Sequence, residues 1–422
     1  MLVTPKDMTK DLLETAIIYV VDSNFKTNSF SLPLRAKKKV LLCNDKLSYL
    51  PSHFHQFDVV HRLNIKFPYE DILALVKSHV TNPELTRITP LSDNDLEPCA
   101  RLREDLNIPG PKMKETAVFL NKKLQVECMK EHGVRVPKGV FFDKTEFKKN
   151  PEAYKAKLIN DVDLPMFCKP SIGNSSVGTI KVDSLQKLDE ALKVMSQAPS
   201  VYIIEEFITG LLFGLDMAIV NDEIKLYSCA QKGHFCTEYF KGLANSAIIL
   251  PPSDPVYSRM LEYAKSVVKA FSPVHDSWCN LECFLTDKDE IVYCEMNYRR
   301  TGSLITPNVL AYTGVNPEEV HISLQTCTPV KLPNDDFKTD YPLYSFYCDY
   351  PQIRGTIKRK ARLPDGLQSK IEIKWLFSDG EKMDTAGVLC NNCCTVIATN
   401  SDWKELNADF QLMKMWYPYE LK

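Results

Sequence analysis

One stretch in the C-terminal half constrains the fold more than any other. Residues Cys279 to Leu285 alternate apolar and polar side chains, and Ile291 to Asn297 do so again after a short charged turn. This period of two predicts an antiparallel β-hairpin, with Tyr293 on the polar face of its second strand. A symmetric turn places Glu282 directly opposite Glu295. Because like charges facing across a hairpin destabilise it, the pattern indicates a cation between them.

The oxygen-bearing side chains of this hairpin suit a hard divalent metal. Glu282, Glu295 and the amide oxygen of Asn297 are the kinds of ligand that Mg²⁺ prefers. Arg299 and Arg300 follow directly, where they would meet phosphates that bridge such a metal. The alternative is an ordinary solvated hairpin face. The sequence therefore predicts either a metal and phosphate site or a polar surface at this hairpin.

Composition excludes several classes of protein. The chain has 422 residues, 44% of them hydrophobic and 25% charged, with no apolar run long enough to cross a membrane. A formal net charge of −2 gives no footprint for nucleic acid or an anionic membrane. The first residues do not follow the pattern of a secretory signal, which favours a cytoplasmic protein. Most of the 14 cysteines are isolated within apolar strand or helix patterns, as free buried thiols are. Cys390, Cys393 and Cys394 form one cluster, for which a structural metal site is the less favoured interpretation.

A glycine-bounded polar loop follows a short apolar run that begins at Pro165. Lys169 precedes the loop, which runs from Ser171 to Gly178, and strand character resumes at Thr179. The backbone N–H groups and hydroxyls of such a loop can surround phosphate oxygens, and Lys169 can add a point charge. The candidate phosphate-binding residues of the loop are Ser171, Gly173, Ser175, Ser176 and Gly178. A plain hairpin loop is an equally good interpretation of this segment alone.

Two further segments are candidates for contacts with a nucleotide or substrate. An apolar strand runs into Glu205, Glu206, Phe207 and Ile208, and a strand leaving a sheet beside apolar side chains can form a slot for adenine. Lys122, near the start of a predicted helix, could reach a phosphate, although a lone lysine is usually a surface residue. The irregular segment Gln231 to Glu238 is a candidate for contact with substrate.

The order of the predicted elements indicates several units. Residues 1–110 alternate strand and helix, which predicts a small α/β domain, and no GxGxxG motif marks a dinucleotide site there. We assign residues 111–200 to a lid subdomain, residues 201–335 to a core with the metal and phosphate site, and residues 336–422 to a closing α+β subdomain. In the last of these, strands are predicted at Gly355 to Lys360, Ser369 to Leu376 and Val388 to Thr399, with a helix from Trp403 to Met413.

Taken together, these motifs resemble those of the ATP-grasp superfamily. Lys122, Lys169 with its loop, the segment from Glu205 to Ile208, and Glu282 with Glu295-x-Asn297-x-Arg299 stand in the order expected there. The resemblance extends from about residue 90 to residue 313 and is strongest to carboxylate-amine ligases, a group that includes amino-acid ligases and carnosine-synthase-like enzymes. It implies an α/β (α+β) ATP-grasp fold, with a small Rossmann-like N-terminal domain and two subdomains enclosing ATP.

The resemblance also implies roles for the residues. Lys122 and Lys169 would hold ATP phosphates under the loop from Ser171 to Gly178, and Glu205 to Ile208 would bind adenine. Glu282, Glu295 and Asn297 would ligate Mg²⁺, or Mn²⁺ in its place, and Arg299 and Lys169 would act on the transferred phosphoryl group. Two departures concern Leu212, where the family usually has a ribose-binding glutamate, and Tyr298, where it usually has a proline.

The implied activity is an ADP-forming ligation. A small carboxylate, such as an amino acid, would be activated by ATP as an acyl phosphate and then joined to an amine. The alternatives are an ATP-binding regulatory protein without turnover and a carboxylase-type component, for which the sequence has no biotin-carrying lysine motif. We expect small-molecule substrates and neither a nucleic-acid nor a membrane partner, and a homodimer is one possible assembly.

Overall fold

A computed structural model describes residues 1–5, 11–21, 34–46, 54–64, 66–174, 176–302, 304–333, 337, 341–389 and 391–422. Their strands are β1 (Leu2–Val3), β2 (Leu13–Val20), β3 (Ala36–Asn44), β4 (Val59–Leu63), β5 (Thr86–Pro90), β6 (Gly139–Phe141), β7 (Met166–Pro170), β8 (Ile180–Val182), β9 (Tyr202–Glu206), β10 (Gly210–Val220), β11 (Glu223–Lys232), β12 (Asn245–Ile249), β13 (Ser277–Thr286), β14 (Ile291–Asn297), β15 (Val330–Lys331), β16 (Tyr344–Pro351), β17 (Gly355–Lys360), β18 (Lys370–Trp375), β19 (Lys382–Met383), β20 (Asn392–Asn400) and β21 (Tyr419–Leu421).

The α-helices of these residues are α1 (Tyr69–Lys77), α2 (Asp93–Asp105), α3 (Met113–Leu120), α4 (Lys122–Glu131), α5 (Lys144–Lys149), α6 (Pro151–Asp161), α7 (Leu185–Gln197), α8 (Pro255–Phe271), α9 (Ile305–Thr313), α10 (Pro317–Gln325) and α11 (Trp403–Met413). Short 3₁₀ helices occupy Pro83–Leu85 and Cys236–Lys241. None of the helices in these described ranges combines the length and apolar character that crossing a bilayer requires.

The N-terminal unit is the predicted small α/β domain. Its four strands are parallel in the order β4, β3, β2, β5, as in a Rossmann-like sheet. Alternate residues of β2 and β3 pack into two separate apolar clusters, one on each face, because a parallel sheet is covered on both sides. Ile322 of α10 completes one of these clusters and thereby joins this unit to the rest of the protein.

A second four-stranded sheet, which we call the lid sheet, is formed by β6 to β9. Its strands lie in the order β6, β9, β7, β8 and are antiparallel, and α5, α6 and α7 cover one face. The chain leaves this sheet at Glu206 and enters the central sheet at Gly210. A side chain at Gly210 would place its Cβ 2.2 Å from the Leu285 carbonyl oxygen, and the φ of Gly210 is +132°. The close approach of the start of β10 to β13, its neighbour in the central sheet, therefore requires glycine there.

The central sheet has eight strands in the order β14, β13, β10, β11, β12, β16, β20, β18. One face packs on α8 and α4, and the other packs on α9 and α10. The predicted strands at Gly355–Lys360, near Ser369–Leu376 and within Val388–Thr399 are all present, as is the helix Trp403–Met413. However, β16, β18 and β20 extend the central sheet, so the C-terminal segment shares its sheet with the core.

The predicted hairpin is β13 and β14, and Glu282 does lie opposite Glu295. The register shifts by one residue immediately beyond this pair, where Cys283 lies opposite Tyr293. This β-bulge leaves Cys294 as the extra residue. Tyr293 packs in the apolar core with Met296, so its predicted place on the polar face is wrong. The bulge instead lets both Cys294 and Glu295 reach the opposite side, because it interrupts the strict alternation of a strand.

Candidate active site

A deep cavity lies between the lid sheet and the central sheet. Its walls contain ten of the residues singled out from the sequence: Lys122, Lys169, Gly173, Ser176, Glu205, Glu206, Phe207, Ile208, Glu282 and Glu295. Segments as far apart in the chain as α4, β7, β9 and β14 thus meet at one place. Of the remaining predicted residues, Ser175 lies outside the described residues. Ser171, Gly178, Asn297 and Arg299 lie near the cavity without lining it.

The two predicted phosphate-binding lysines are both engaged with carboxylates. The Lys169 Nζ lies 2.7 Å from the Glu205 Oε1, and each side chain is only 7% exposed. Although burial opposes the charged form, the neighbouring Glu205 carboxylate raises the pKa of Lys169 above its usual value. Lys122 is the first residue of α4, and its Nζ lies 3.0 Å from the Glu295 Oε2. Both lysines therefore line the cavity as members of ion pairs with its carboxylates.

The loop after Lys169 closes over this part of the cavity. The Lys122 amine donates to the Gly173 carbonyl (2.7 Å), and the Lys122 backbone N–H donates to the Ser171 carbonyl (2.8 Å). The Asn174 amide reaches Asn94 of α2 at 3.2 Å. Tyr202 donates to the carbonyl of Gly178, whose φ of +75° suits glycine at the end of the loop. Lys122 thus connects the loop of the lid with the hairpin of the central sheet.

The predicted adenine slot is bounded by aromatic rings. Phe207 contacts Phe167 and Phe235 with ring centroids 6.3 and 6.0 Å apart, and Phe235 contacts Phe284 at 6.0 Å. Leu212 lines the same region. The Glu206 carboxylate, in contrast, accepts from Arg135 and from the Lys138 backbone N–H, at 2.8 and 2.7 Å. The side chain of Glu206 is thereby held by the protein, so that a base would meet apolar rings and backbone.

Glu282 and Glu295 form the floor of the cavity, opposite the lid. Burial raises the pKa of Glu282, an effect that Lys232 opposes and Glu295 reinforces. Burial acts in the same direction on Glu295, but the positive charges of Lys122, Lys169 and Arg299 together outweigh it and lower the pKa of Glu295. The described residues contain no cluster of three or more Asp, Glu, His or Cys side chains arranged for a metal. Two carboxylates and the Asn297 amide nevertheless fit Mg²⁺, which usually keeps several water or phosphate ligands.

Arg299 follows the end of β14 by two residues and is fixed by a carboxylate that the sequence reasoning missed. The guanidinium donates twice to the Asp93 Oδ2, at 2.7 and 2.5 Å, and Asp93 is the first residue of α2. Burial opposes the charged form, but Asp93 raises the pKa of Arg299. Arg300 does not share this position, because it is buried against Glu318 at 3.1 Å. Nothing in the sequence around Asp93 predicts its bond to Arg299, because Asp93 is a single acidic residue 206 positions away.

Polar side chains continue along the same face of the central sheet beyond Glu282. Lys232 of β11 is 6% exposed and donates to the Tyr347 hydroxyl at 3.2 Å. Asp349 of β16 is fully buried, and burial raises its pKa to about 7. Gly214 lies between Glu282 and Lys232, and the Lys232 Cε is 3.6 Å from the place that a Cβ would occupy there. Glycine thus leaves room beside the two glutamates.

Comparisons with known proteins agree with this architecture. Residues 128–319 match the family model described as D-ala D-ala ligase C-terminus. An L-arginine-specific L-amino acid ligase from Bacillus subtilis is 24% identical over 294 residues, which are 67% of this chain and 67% of that protein. A D-alanine–D-alanine ligase from Oceanobacillus iheyensis is 26% identical over 201 residues, which are 45% of this chain and 53% of that protein.

Solved structures match over almost the whole chain. The crystal structure of an L-amino acid ligase from Bacillus licheniformis has a TM-score of 0.72 and 16% identity, and the match covers 97% of this chain and 99% of that one. The biotin carboxylase domain of the Hydrogenobacter thermophilus 2-oxoglutarate carboxylase, solved with MgADP and bicarbonate, has a TM-score of 0.65 and 17% identity, with 98% and 91% covered.

The structure therefore has the ATP-grasp fold, and the resemblance predicted from the sequence is confirmed. Among proteins with this fold, the chain is similar to L-amino acid ligases in both sequence and structure. The predicted type of enzyme, an ADP-forming carboxylate-amine ligase, is supported over an ATP-binding protein without turnover and over a carboxylase component.

Proposed function

We propose that this protein joins the carboxylate of an amino acid or another small acid to an amine, with cleavage of ATP to ADP and phosphate. One observation carries the proposal. Two carboxylates, Glu282 and Glu295, face each other across a hairpin at the floor of a cavity to which Lys122 and Lys169 both contribute. This arrangement is costly without a ligand and well suited to a metal nucleotide.

ATP would lie between the lid and the central sheet. Its base would enter the aromatic slot beside Phe207, with backbone contacts from Glu206 to Ile208. Its phosphates would meet Lys122, Lys169 and the loop from Ser171 to Gly178. In the described part of the chain, no carbonyl accepts from the Ile208 N–H, whereas the Phe207 N–H is taken by the Pro165 carbonyl at 3.0 Å. The Ile208 N–H is therefore the donor for a ring nitrogen.

Glu282, Glu295 and Asn297 would hold one or two Mg²⁺ ions, and Mn²⁺ could replace them. Held there, the metal would supply positive charge that offsets the charge developing on the transferred phosphoryl group. In the structure, the Lys122 Nζ forms an ion pair with the Glu295 Oε2 at 3.0 Å. When a nucleotide is bound, we expect the Lys122 amine to turn to the phosphates. The amine then gains the negative charge of the phosphates, and the Glu295 carboxylate gains the positive charge of the metal.

The reaction begins when the substrate carboxylate attacks the γ-phosphorus of ATP. A carboxylate O–P bond forms and the bond to the bridging oxygen of ADP breaks, giving an acyl phosphate. Arg299, held in place by Asp93, would face the three oxygens of the transferred group. The amine then attacks the acyl carbon, phosphate leaves, and the amine gives up a proton. The loop from Ser171 to Gly178 would exclude water during both steps, because water also cleaves acyl phosphates.

The substrates would lie beyond the metal, on the continuation of the same face. Lys232 offers a cation for a carboxylate, and Asp349 offers an acceptor for an ammonium group. Gly214 leaves space between these groups and Glu282. This row of charges suits small zwitterions, which agrees with the amino-acid ligases among the relatives. We further propose a cytoplasmic location, and a homodimer as the assembly to test first.

The function is tested by screening pairs of amino acids for ATP-dependent release of phosphate, with mass spectrometry of the products. We expect at least one pair to give ADP, phosphate and a condensed product in equal amounts. Glu295→Gln should abolish turnover while the fold is kept, because the substitution removes one of the two charged metal ligands. A folded Glu295→Gln protein with full activity would refute the metal assignment.

A further inference from the structure

The segment from Glu295 to Arg299 alternates between two environments. Glu295, Asn297 and Arg299 lie on the face that bears the cavity, whereas Met296 and Tyr298 are buried in the apolar core on the other side. The first three are the residues proposed to hold metal and phosphoryl group. How accurately those three side chains are placed therefore depends on what fixes the two residues between them.

Met296 is held by the side-chain amide of Gln125. The Gln125 Nε2 donates to the Met296 carbonyl at 2.9 Å, and its Oε1 accepts from the Met296 N–H at 3.1 Å and from the Tyr293 hydroxyl at 2.7 Å. Because β14 is the edge strand of the central sheet, these backbone groups have no neighbouring strand. The amide of Gln125 thus takes the place of a peptide group in a missing strand.

Tyr298 is held by a second glutamine in a different part of the chain. The Gln325 Nε2 donates to the Tyr298 hydroxyl at 2.7 Å and to the Asp276 carbonyl at 2.7 Å. The Tyr298 hydroxyl in turn donates to the His275 carbonyl at 3.2 Å. Arg103 of α2 donates to the Gln325 Oε1 at 3.1 Å. Tyrosine at this position therefore gives the strand an anchor that a residue without a hydroxyl would lack.

Both glutamines connect this strand to helices that bear other groups of the site. Gln125 lies on α4, whose first residue is Lys122. Gln325 bonds Arg103 on α2, whose first residue is Asp93, the partner of Arg299. Gln125 and Gln325 are 2% and 9% exposed. A buried amide is expensive unless it is fully hydrogen-bonded, so apolar residues would serve better if packing were the sole role.

We infer that Gln125 and Gln325 are positioning residues. Together they fix the proposed metal ligands and Arg299 relative to helix α4, which begins at Lys122, and helix α2, which begins at Asp93. The inference rests on the proposed function. Gln125 sets the place of Glu295 and Asn297 relative to Lys122. Gln325 sets the place of Arg299 relative to Asp93.

The test needs no turnover. The affinity for ADP is measured by calorimetry with and without MgCl₂ in the full chain, Gln125→Leu and Gln125→Glu. Gln125→Leu should weaken binding of ADP with Mg²⁺ by about 10- to 100-fold, as losing support of a metal ligand commonly does. Binding of ADP without Mg²⁺ should stay within about twofold, because the slot and Lys169 are untouched. Gln125→Glu keeps the acceptor for the Met296 N–H but sets a buried carboxylate oxygen against the Met296 carbonyl, so a loss at least as large as in Gln125→Leu is expected.

Gln325→Leu should act on the other end of the strand. It should weaken binding of a non-hydrolysable ATP analogue, whose third phosphate would meet Arg299, while the affinity for ADP with Mg²⁺ stays unchanged. The matched control is Asp409→Asn. The Asp409 carboxylate, 2% exposed, accepts from the Gln368 and Ser369 N–H groups at 3.0 and 2.7 Å, and none of these three residues lines the cavity. The Asp409→Asn substitution should lower the melting temperature without changing the affinity for ADP or for the ATP analogue.

The outcomes separate the inference from the function. If the wild-type protein binds ADP with no dependence on Mg²⁺, both the function and the inference are wrong. A second outcome is that Mg²⁺ strengthens ADP binding equally in the wild type and in Gln125→Leu, while the melting temperature of the variant falls as in Asp409→Asn. Gln125 would then have only a structural role. A loss of Mg²⁺-dependent affinity in Gln125→Leu together with normal Mg²⁺-free binding supports positioning.

Discussion

Replacing Glu282 by glutamine should stabilise the ligand-free protein slightly and impair its response to a metal nucleotide. Glu282 faces Glu295 directly, and burial raises the pKa of Glu282. Directly opposed like charges across a hairpin cost roughly 0.2–1 kcal/mol. With an unfolding entropy near 2.1 cal/mol/K per residue, a chain of 422 residues changes its melting temperature by about 1 °C per kcal/mol. The ligand-free variant should therefore melt at the wild-type temperature or up to about 1 °C higher.

The response to ligand has the opposite sign. MgADP at 100 times its dissociation constant stabilises a protein by about 2.7 kcal/mol. If the loss of one charged ligand weakens binding about 100-fold, the same concentration gives only about 0.4 kcal/mol. The thermal shift caused by MgADP should thus be smaller by about 2.5 °C in Glu282→Gln.

Differential scanning calorimetry with and without ADP and MgCl₂ measures both quantities. Glu290→Gln is the matched control, because Glu290 is an exposed carboxylate of the same hairpin and should behave as the wild type. The pH dependence gives a second check. A carboxyl whose folded pKa is raised favours the folded state when it is protonated, so the wild type should gain stability relative to Glu282→Gln as the pH falls. A variant that is less stable without ligand and keeps the full MgADP shift would refute this reasoning.

Three further variants test other parts of the site. Lys169→Met should lower the free energy of unfolding by about 3–5 kcal/mol because it leaves Glu205 buried and unpaired; adding Glu205→Gln should restore most of that stability but not nucleotide affinity, as chemical denaturation and calorimetry can show. Asp93→Ala should lower kcat about 10-fold or more in the phosphate-release assay with little change in ADP affinity, since it releases Arg299 without removing it; an unchanged kcat would show that Arg299 needs no anchor. Burial lowers the pKa of His321 to about 4, so its contribution to stability is complete above its ordinary value of 6.5 and is lost as the pH falls from 6.5 toward 4; relative to His321→Gln, the wild type should lose up to about 1.4 kcal/mol per pH unit across that window, and parallel stability curves for the two proteins would contradict this.

The sequence was most informative where local patterns decide the structure. The alternation in β13 and β14 predicted the pairing of Glu282 with Glu295, and the glycine-bounded loop after Lys169 has the predicted strands on both sides. The bulge at Cys294 escaped prediction, because a one-residue register shift leaves a strand pattern almost unchanged. It moved Tyr293 from the expected polar face into the core.

Groups that depend on distant contacts could not be found in this way. Asp93 is a single charged residue whose importance comes from the elements that the fold brings beside it. Lys232 was included only as one member of the candidate segment Gln231 to Glu238. Glu205 was assigned to the adenine slot, but its side chain forms an ion pair with Lys169. The sharing of one sheet by the core and the C-terminal strands was also missed, since alternation shows that a segment is a strand without showing which strand lies next to it.

The lid sheet has an apolar core of its own, formed with α5, α6 and α7. Of its strands, β6 contributes Phe141 to the core beneath the central sheet, while the other buried side chains stay in the core of the lid sheet itself. The cost of motion therefore falls on Phe141, on the bonds from Lys122 to Ser171 and Gly173, and on the two chain connections, before Gly139 and between Glu206 and Gly210. An enzyme built in this way can alter how fast it admits and releases nucleotide through substitutions at these few connections. The chemistry on the central sheet and the speed of the cycle can then change independently of each other.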